Sequence, residues 1–333
     1  MAIGNEALGI DCEAAAREIE RTLARDVLET LRRKGLVVGL SGGIDSSVVA
    51  ALAVRALGAG RVVALLMPER DSSASSLELG SLLADHLGIE AIREDLAPAL
   101  TALGCYARQD DAIRAAFPEY RAERGWRCKL TLPSILDADR LNVTQLTVRA
   151  PSGEERSSRM PPAAYRQLVA ATNFKQRLRK TMEYYHADRL GFAVAGTPNR
   201  LEYDQGFFVK QGDGAADVKP IAHLYKSQVY ALAAHLGIPE IIRSRPPTTD
   251  TFSLEQTQEE FYFSLPYDKM DLCLWARNNG VSAAEIAPSL GLGAAQVERV
   301  FRDIDAKRRA TRYLHEPPLF VRQVPEIHPP EGR

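Results

Sequence analysis

Seven consecutive residues, SGGIDSS at positions 41–47, bring two glycines, three hydroxyls and one carboxylate together. An apolar run, LVVGL, precedes them, and a second apolar run follows. Glycine lets the backbone approach a ligand closely, and the N–H groups that open a helix attract anions. The segment therefore predicts a phosphate-binding turn between a strand and a helix. It lacks the lysine of the G-x-x-x-x-G-K-[ST] phosphate loop, so cationic help for a phosphate must come from elsewhere.

Asp45 is the residue of this segment that an ordinary tight turn does not need. A carboxylate beside bound phosphate groups repels them unless a cation lies between the two. Mg²⁺ prefers carboxylate and phosphate oxygens, so we predict that Asp45 is a Mg²⁺ ligand. The alternative is a tight turn with incidental serines. The strand, the helix, the carboxylate and the serine pair together favour the phosphate site.

The elements around this turn alternate between strands and helices. Buried strands are predicted at 36–40, 61–67 and 191–197, and a further strand is predicted at 89–95. Helices are predicted at 11–34, 46–57, 77–87, 172–190 and 225–237. This order predicts an α/β fold, a doubly wound and mostly parallel sheet with helices on both faces.

The chain is expected to have a central domain with flanking segments. We expect a helical extension at 1–35, the central domain at 36–253, a C-terminal helical region at 254–315 and a tail at 316–333. The central domain contains an inserted flap at about 121–170, in which residues 141–161 are typical of a hairpin. Two further helices are predicted on either side of residues 291–293, and the proline-rich tail is expected to be loosely ordered.

Composition narrows the classes of function. The chain has 45% hydrophobic and 26% charged residues, as an ordinary globular protein does, and its net charge of -1 argues against a general affinity for nucleic acid. No apolar stretch is long enough to span a bilayer, and the acidic N-terminus lacks the features of a signal peptide. We therefore expect a cytoplasmic protein. The four cysteines are too far apart for a C-x-x-C metal or redox motif.

Three later segments carry polar residues with the spacing of a binding site. They are NFKQRLR (173–179), GTPNRLEYDQGFFVKQGDG (196–214) and RPPTTD (245–250). On a helix, Asn173 and Arg177 share one face, and the other two basic residues of the first segment share the opposite face. These faces would serve two anionic ligands, or one ligand and a partner subunit. The second segment follows a strand, so Thr197 and Glu202 are expected at the carboxyl ends of the strands, where open α/β sheets bind ligands.

The SGGIDSS turn resembles the pyrophosphate loop of the N-type ATP pyrophosphatases, which split ATP into AMP and pyrophosphate while they activate a second substrate. The chain also has an N-x-K-x-R-x-R helix, a G-T-x-N-x-x-E segment, a G-F-F-x-K-x-G-D-G segment and a late P-T-x-D. In this combination it is similar to the NAD synthetases of that superfamily, from about Leu36 to Asp250 apart from the flap. The resemblance implies an ammonia-dependent carbon–nitrogen ligase that uses ATP to amidate the nicotinate carboxylate of deamido-NAD.

The resemblance also implies roles for individual residues. ATP would be bound by Ser41, Gly42, Gly43, Asp45, Ser46, Ser47, Arg70, Thr197, Lys226 and Thr248. The acceptor would be bound by Asn173, Arg177, Tyr184, Phe207, Lys210, Asp213 and Lys307. Asp45 and Glu202 would ligate Mg²⁺, and the catalytic residues would be Asp45, Lys226 and Asp213. Members of the family are generally homodimers with the acceptor pocket near the interface. No segment resembles a glutaminase, so ammonia would be free or would come from a separate glutaminase chain.

Two positions depart from the family pattern. Tyr262 lies in a segment where many members carry an acidic residue, and Ala306 replaces the histidine of a late His-Lys pair. Both positions help to recognise the acceptor in the family, so the sequence leaves open a related enzyme that amidates a different carboxylate. It also leaves open a tRNA-modifying ATP pyrophosphatase and an inactive nucleotide-binding protein. The cysteine spacing and net charge argue against the former, and the complete set of catalytic residues argues against the latter.

Overall fold

The computed structural model describes residues 5–132, 135–136, 144–249, 251–322 and 324. Its strands are β1 (Leu36–Gly39), β2 (Val62–Leu66), β3 (Glu90–Arg93), β4 (Arg127–Thr131), β5 (Gln145–Arg149), β6 (Glu155–Arg159) and β7 (Ala193–Ala195). Its α-helices are α1 (Cys12–Arg25), α2 (Ile44–Leu57), α3 (Ala74–Leu87), α4 (Ala97–Ala102), α5 (Cys105–Arg114), α6 (Pro162–Leu190), α7 (Arg200–Gln205), α8 (Lys226–His235), α9 (Glu240–Arg243), α10 (Tyr267–Asn278), α11 (Ala283–Leu290) and α12 (Ala294–His315). Single 3₁₀ turns lie at Asn5–Leu8, Ala59–Arg61 and Ala122–Arg124, and π turns lie at Asp26–Thr30 and Glu259–Phe263.

Four parallel strands in the order β3-β2-β1-β7 form the central sheet. β1 lies in its interior, where Leu36 pairs with Val62 of β2 on one side and with Ala193 of β7 on the other. β1 and β2 are apolar and buried along almost their whole length, which is the pattern of strands covered on both faces. The predicted parallel α/β sheet is confirmed.

Helices cover both faces of this sheet. Leu36 and Val38 pack on one face, in a core to which α1, α2, α3 and α8 contribute. Val37 lies between them in sequence and packs on the opposite face, with Val194 and with Ala187 of α6. The alternation follows from the two-residue period of a strand. The doubly wound arrangement is therefore confirmed as well.

An antiparallel sheet in the order β4-β5-β6 lies inside the segment that we predicted as a flap. β5 and β6 form the predicted hairpin, although residues 141–143 of that prediction lie outside the described residues. The other edge of β4 is covered, because Leu254 N donates to Cys128 O at 3.0 Å and Leu132 N donates to Glu260 O at 2.8 Å. The inserted sheet is thus joined to a segment more than a hundred residues further along the chain.

α6 begins at Pro162, ten residues before the helix that the sequence pattern predicts. Proline suits the first turn of a helix because the N–H group that it lacks would have no partner there. The added turns bury Leu168 in the core of the insertion, beside Leu146 and Phe252. Packing against the inserted sheet therefore stabilises turns that helical periodicity alone did not identify, and they occupy the last part of the predicted flap.

The C-terminal helices α10, α11 and α12 form a second core. Met270, Ile286 and Val300 are fully buried in it, together with Leu201 of α7. The two helices predicted around residues 291–293 are confirmed as α11 and α12. Residues 317–322 are exposed, and most of the predicted tail lies outside the described residues. None of the described helices is long and apolar enough to cross a membrane.

Candidate active site

A cavity of ≈ 450 Å³ opens at the carboxyl ends of β1 and β7. Its walls come from the turn after β1, the loop after β7, α6, α8, the inserted sheet and residues 242–262. A second cavity of ≈ 200 Å³ lies at the ends of β1 and β2 and shares Ser41, Thr197 and Asp213 with the first. This is the position that parallel strand ends predict for a ligand site. Two adjoining cavities provide room for ligands that meet at the shared wall.

The turn at residues 41–47 has the geometry of an anion site. Gly42 has a φ of +72°, and a Cβ atom there would lie 2.8 Å from the carbonyl oxygen of Ser76, so only glycine fits without a shift. α2 begins at Ile44 with Gly43 as its N-cap, and Gly43 has no side chain to accept from the first N–H groups. The start of α2 therefore offers backbone donors and a positive dipole end to an anion.

Ser41, Gly43 and Ser46 line the larger cavity, whereas Gly42 and Ser47 support the turn. The Ser47 hydroxyl is fully buried and donates to Gly43 O at 2.8 Å. Ser46 Oγ donates to the same carbonyl at 3.1 Å and lies 3.3 Å from Ser41 Oγ. These bonds fix the position of Gly43. Direct contacts of Gly42 and Ser47 with ATP stay predictions.

Asp45 lies in the first turn of α2, and both of its carboxylate oxygens have partners. Oδ2 is paired with the ammonium group of Lys226, and Oδ1 accepts from Asn199 Nδ2 at 3.0 Å. The Lys226 side chain is only 2% exposed. Although burial acts to lower it, the charges of Asp45 and Glu202 raise the pKa of Lys226. A protonated lysine from the first position of α8 thus stands beside the turn and supplies the cation that SGGIDSS lacks.

Glu202 is the second carboxylate of the site. It forms a capping box with Asn199, in which Asn199 Oδ1 accepts from Glu202 N at 3.3 Å and Glu202 Oε2 accepts from Asn199 N at 3.2 Å. Its Oε1 accepts from Gln258 Nε2 at 2.8 Å. Burial and the charge of Asp45 raise the pKa of Glu202 to about 7. Two neighbouring carboxylates, one of which has a pKa raised partly by the charge of the other, are a donor set that a hard divalent cation stabilises.

Two threonines complete the wall beside the phosphate turn. Thr197 follows β7, Thr248 lies in the loop after α9, and both line the larger cavity. Thr248 forms an antiparallel bridge with Thr257, and Thr249 N donates to Gln256 O at 3.1 Å. The loop with Thr248 is therefore held by the residues that follow it, in addition to its two prolines.

The opposite wall of the larger cavity is aromatic. Phe207 and Tyr262 stack with their ring centroids 4.6 Å apart, and the Tyr262 hydroxyl donates to Gln205 O at 2.7 Å. Phe261 and Asn173 line the cavity beside them. An apolar wall with one amide suits an organic ring better than a phosphate group. Phe207 and Asn173 both line this cavity, and their contact with an acceptor stays a prediction.

Asp213 lies where the two cavities meet, because it lines both. Its Oδ1 accepts from Val209 N at 2.8 Å. Burial raises its pKa above the ordinary value, against the hydrogen bond from Val209, which acts to lower it. A carboxylate at the junction of the two cavities is placed to accept a proton from a ligand in either of them.

Comparison with known proteins decides which enzymes share this site. The family model described as NAD synthase matches residues 16–121 and 141–313. The chain belongs to the NAD synthase family. It is 63% identical over 314 residues to the NH(3)-dependent NAD(+) synthetase of Rhizobium meliloti (strain 1021), which covers 94% of this chain and 93% of that relative. The match to the NAD synthase family continues through the C-terminal helices, so it includes the positions of Tyr262 and Ala306.

Two solved structures show the same fold at low sequence identity. The NMN synthetase of Francisella tularensis superposes with a TM-score of 0.63 and 22% identity, over 94% of this chain and 99% of that chain. The NH3-dependent NAD synthetase of Campylobacter jejuni superposes with a TM-score of 0.61 and 22% identity, over 94% of this chain and 100% of that chain. The α/β fold of these two structures is therefore shared over 94% of this chain.

Besides Gly42 and Ser47, five predicted ligand contacts of this NAD synthase family member lie outside the linings of both cavities: Arg70, Arg177, Tyr184, Lys210 and Lys307. Arg70 is paired with Asp110 at 3.0 Å and with Asp71 at 3.1 Å. The Tyr184 hydroxyl donates to Asp217 at 3.3 Å. To contact a ligand, either side chain would have to leave these partners. Both ligand contacts stay predictions.

Of the other three residues of that group, Lys210 and Lys307 contact the C-terminal part of the chain, and Arg177 contacts Lys210. Lys210 Nζ donates to the carbonyls of Tyr313 and Glu316, both at 2.7 Å, and Arg177 Nε donates to Lys210 O at 3.2 Å. Lys307 Nζ donates to the Tyr262 carbonyl at 2.8 Å and lies 4.7 Å from the centroid of that ring. Lys307 therefore supports the aromatic wall from behind, and its direct contact with the acceptor stays a prediction.

Lys175 is not available to a ligand or to a partner subunit, contrary to the two-faced helix that we predicted. It is 1% exposed, and its Nζ lies 2.5 Å from Asp71 and 3.3 Å from Glu69. Although burial acts to raise it, the charges of Lys175 and Arg70 hold the pKa of Asp71 below its usual range. The cluster joins α6 to the loop after β2, which forms one wall of the smaller cavity.

The residues around the site that have no role in the sequence prediction include Asn199, Tyr230, Arg245 and Gln258. The N-x-x-E spacing of Asn199 and Glu202 is the signature of a capping box, and this signal would have identified Asn199. No local pattern marks the others. Tyr230, Arg245 and Gln258 line the larger cavity because α8, the loop after α9 and the segment after it fold back onto the sheet.

Proposed function

We propose that this protein is an ammonia-dependent NAD synthetase. It uses ATP to adenylate the nicotinate carboxylate of deamido-NAD and then amidates it, and the products are NAD, AMP and pyrophosphate. The observation that carries the proposal is the single cavity in which the Asp45–Lys226 pair and the phosphate turn face an aromatic wall. Membership of the NAD synthase family and 63% identity to a named relative support it.

In the first step the acceptor carboxylate attacks the α-phosphorus of ATP, and pyrophosphate leaves. The start of α2 and the hydroxyls of Ser41 and Ser46 bind the phosphates, and Lys226 stabilises the charge that develops on the leaving group. The enzyme needs no covalent nucleophile, since fixed donors and correct orientation lower the barrier. The smaller cavity adjoins the turn and would take the nucleoside of ATP.

Asp45 and Glu202 would hold Mg²⁺. Among the described residues no group of three or more His, Cys, Asp or Glu side chains gathers into a metal site. A pair of carboxylates is nevertheless sufficient for this ion, which commonly binds one or two carboxylates together with water and substrate phosphates. When bound, Mg²⁺ would supply positive charge to the phosphate oxygens, and it would offset the repulsion that raises the pKa of Glu202.

In the second step the nitrogen of ammonia attacks the acyl carbon of the adenylate, and AMP leaves with the electron pair of the broken C–O bond. The attacking nitrogen must then lose a proton. Asp213 lies at the junction of the two cavities with a raised pKa and would accept that proton.

We also propose that the protein acts in the cytoplasm and that it is a homodimer. Light scattering on the purified protein tests the dimer.

The decisive experiment is NAD formation from ATP, Mg²⁺, ammonia and deamido-NAD, measured by chromatography. We expect NAD and AMP in equal amounts, and a much lower but measurable rate from the matched control, Lys226→Met. Glutamine in place of ammonia should give no NAD.

The alternative acceptor is tested in the same assay, because Tyr262 occupies a position that differs from the family pattern. A panel of other carboxylates would be offered with ATP and ammonia. Pyrophosphate release with one of them, and none with deamido-NAD, would replace the proposed function by amidation of that carboxylate.

A further inference from the structure

Lys226 has its position because α8 starts at that residue. At this start Gln228 Oε1 accepts from the N–H of Tyr225 at 3.0 Å, and this bond leaves the N–H groups of Lys226 and Ser227 without an acceptor from the N-cap residue. Tyr225, the N-cap residue, makes no side-chain bond to the first turn. The N–H groups of a first helical turn need acceptors, and Ser, Thr, Asp or Asn at the N-cap usually supplies one. A different part of the chain must therefore accept from the first N–H groups of α8.

Asp271 of α10 supplies these acceptors. Its Oδ1 accepts from Lys226 N at 3.2 Å, and its Oδ2 accepts from Ser227 N at 2.7 Å. The Asp271 side chain is fully buried and lines neither cavity. A buried carboxylate that bonds two successive N–H groups fixes the axis and the starting residue of the helix. It thereby fixes the point from which the Lys226 side chain extends to Asp45.

A second contact joins the same two helices one turn further on. Tyr267 of α10 stacks on Tyr230 of α8, with centroids 5.2 Å apart and ring planes 16° apart. The two contacts differ in their expected effect. The stack holds α8 against α10, whereas the Asp271 carboxylate holds the residue whose ammonium group pairs with Asp45.

We propose that Asp271 is a positioning residue for catalysis, which holds the backbone of Lys226 so that the ammonium group meets the pyrophosphate of ATP. The inference rests on the proposed function for the identity of the reaction. Asp271 touches no substrate, so its removal should lower kcat through Lys226 and leave the KM of the acceptor and of ammonia within about twofold. A merely structural role would lower the melting temperature and leave the rate per folded molecule unchanged.

The test is a double-mutant cycle with Asp271→Asn and Lys226→Met, read as steady-state NAD formation and as ATP–pyrophosphate exchange. Asp271→Asn preserves the volume of the side chain and removes one acceptor oxygen. We expect it to lower kcat about tenfold, and Lys226→Met to lower it by more. The double variant should match Lys226→Met within twofold, because Asp271 acts through that lysine. An additional tenfold loss in the double variant, or a wild-type kcat in Asp271→Asn, would overturn the proposal.

The matched control is Asp305→Asn, which breaks the exposed ion pair between α12 and Arg277 of α10 and touches neither α8 nor the cavity. We expect wild-type kcat from it. If Asp271→Asn does not fold, Asp271→Glu keeps the carboxylate on a longer side chain, and its kcat should fall at least threefold while its melting temperature stays near that of wild type. An unchanged kcat in Asp271→Glu would overturn the proposal in that case.

The outcomes separate this inference from the proposed function. Wild-type protein that makes no NAD rejects the function, and the cycle is then run with the carboxylate that triggers pyrophosphate release. If no acid triggers release, the affinity for ATP by calorimetry replaces kcat, and Asp271→Asn should weaken it at least threefold. Unchanged ATP affinity in that variant would overturn the role of Asp271 irrespective of the acceptor.

Discussion

The phosphate side and the acceptor side of the cavity are built in different ways. On the phosphate side, one turn of seven residues provides the donors and a carboxylate, and Lys226 is the main addition from elsewhere. The acceptor side has no equivalent motif. Its wall combines the inserted sheet, α6, the loop after α7 and the π turn that contains Tyr262. Phosphate binding thus depends on local backbone geometry, whereas the shape of the acceptor wall depends on packing between remote segments.

The largest expected effect tests whether the phosphate side depends on a single charge. Asp45→Asn keeps the size of the side chain and removes the charge that pairs with Lys226. We expect ATP–pyrophosphate exchange to fall at least ~1000-fold, since preorganised charges dominate such steps. Binding of the acceptor, measured by calorimetry, should change less than about threefold. Near-normal exchange in this variant would contradict the role of Asp45, and Asp305→Asn is the control.

A second prediction compares the stability that is lost when Lys175, on the phosphate side, or Lys307, on the acceptor side, is replaced. Lys175→Met removes the ammonium group that lies between the buried Glu69 and Asp71 and leaves Asp71 with Arg70 alone. We expect the free energy of unfolding to fall by about 3–5 kcal/mol. Lys307→Met should cost less than half as much, because its partner Asp303 is 20% exposed and water can replace the lysine. Urea denaturation measures both. Equal losses of unfolding free energy would show that the charges around Lys175 and Lys307 are equally buried.

A third prediction concerns the acceptor wall alone. Tyr262→Ala removes the ring that stacks on Phe207 and covers Lys307. We expect the KM for deamido-NAD to rise about tenfold, in keeping with about 1–2 kcal/mol for such a ring, while the KM for ATP stays within twofold. Tyr262→Phe is the matched control, because it keeps the ring and loses only the bond to Gln205. A parallel rise in both KM values would show that the two sides are not separable.

The smallest effect is a pH dependence of stability. Burial raises the pKa of Asp271 to about 6 from an ordinary value of 3.8, against the opposing effects of the Ser227 and Lys226 N–H groups. The folded chain therefore binds this proton more tightly than the unfolded chain does. The resulting stabilisation is fully present below the unfolded pKa and is lost as the pH rises through about 6.

Between about pH 5 and pH 8, wild type should accordingly lose roughly 1 kcal/mol of stability relative to Asp271→Asn. Urea denaturation of both proteins at the two pH values measures this difference. A pH-independent difference would show that Asp271 keeps an ordinary pKa in the fold.

Much of the fold followed from apolar patterns. The buried runs at β1 and β2, and the helical patterns that follow them in α2 and α3, are local features, and they predicted the parallel sheet correctly. The first ten residues of α6 were missed because Leu168 gains its stability from the inserted sheet. Lys175 was interpreted as a ligand donor because its buried carboxylate partners lie 104 and 106 residues away in sequence.

The sequence by itself determined the phosphate turn, because two glycines, a carboxylate and a helix start encode their geometry within a few residues. It also determined the family. Only the tertiary structure shows that the Lys226 ammonium group pairs with Asp45 of the turn, and that Asp271 accepts from the backbone N–H of Lys226. Hydrogen bonds and ion pairs between remote residues depend on how helices pack, and no local pattern of residues specifies that packing.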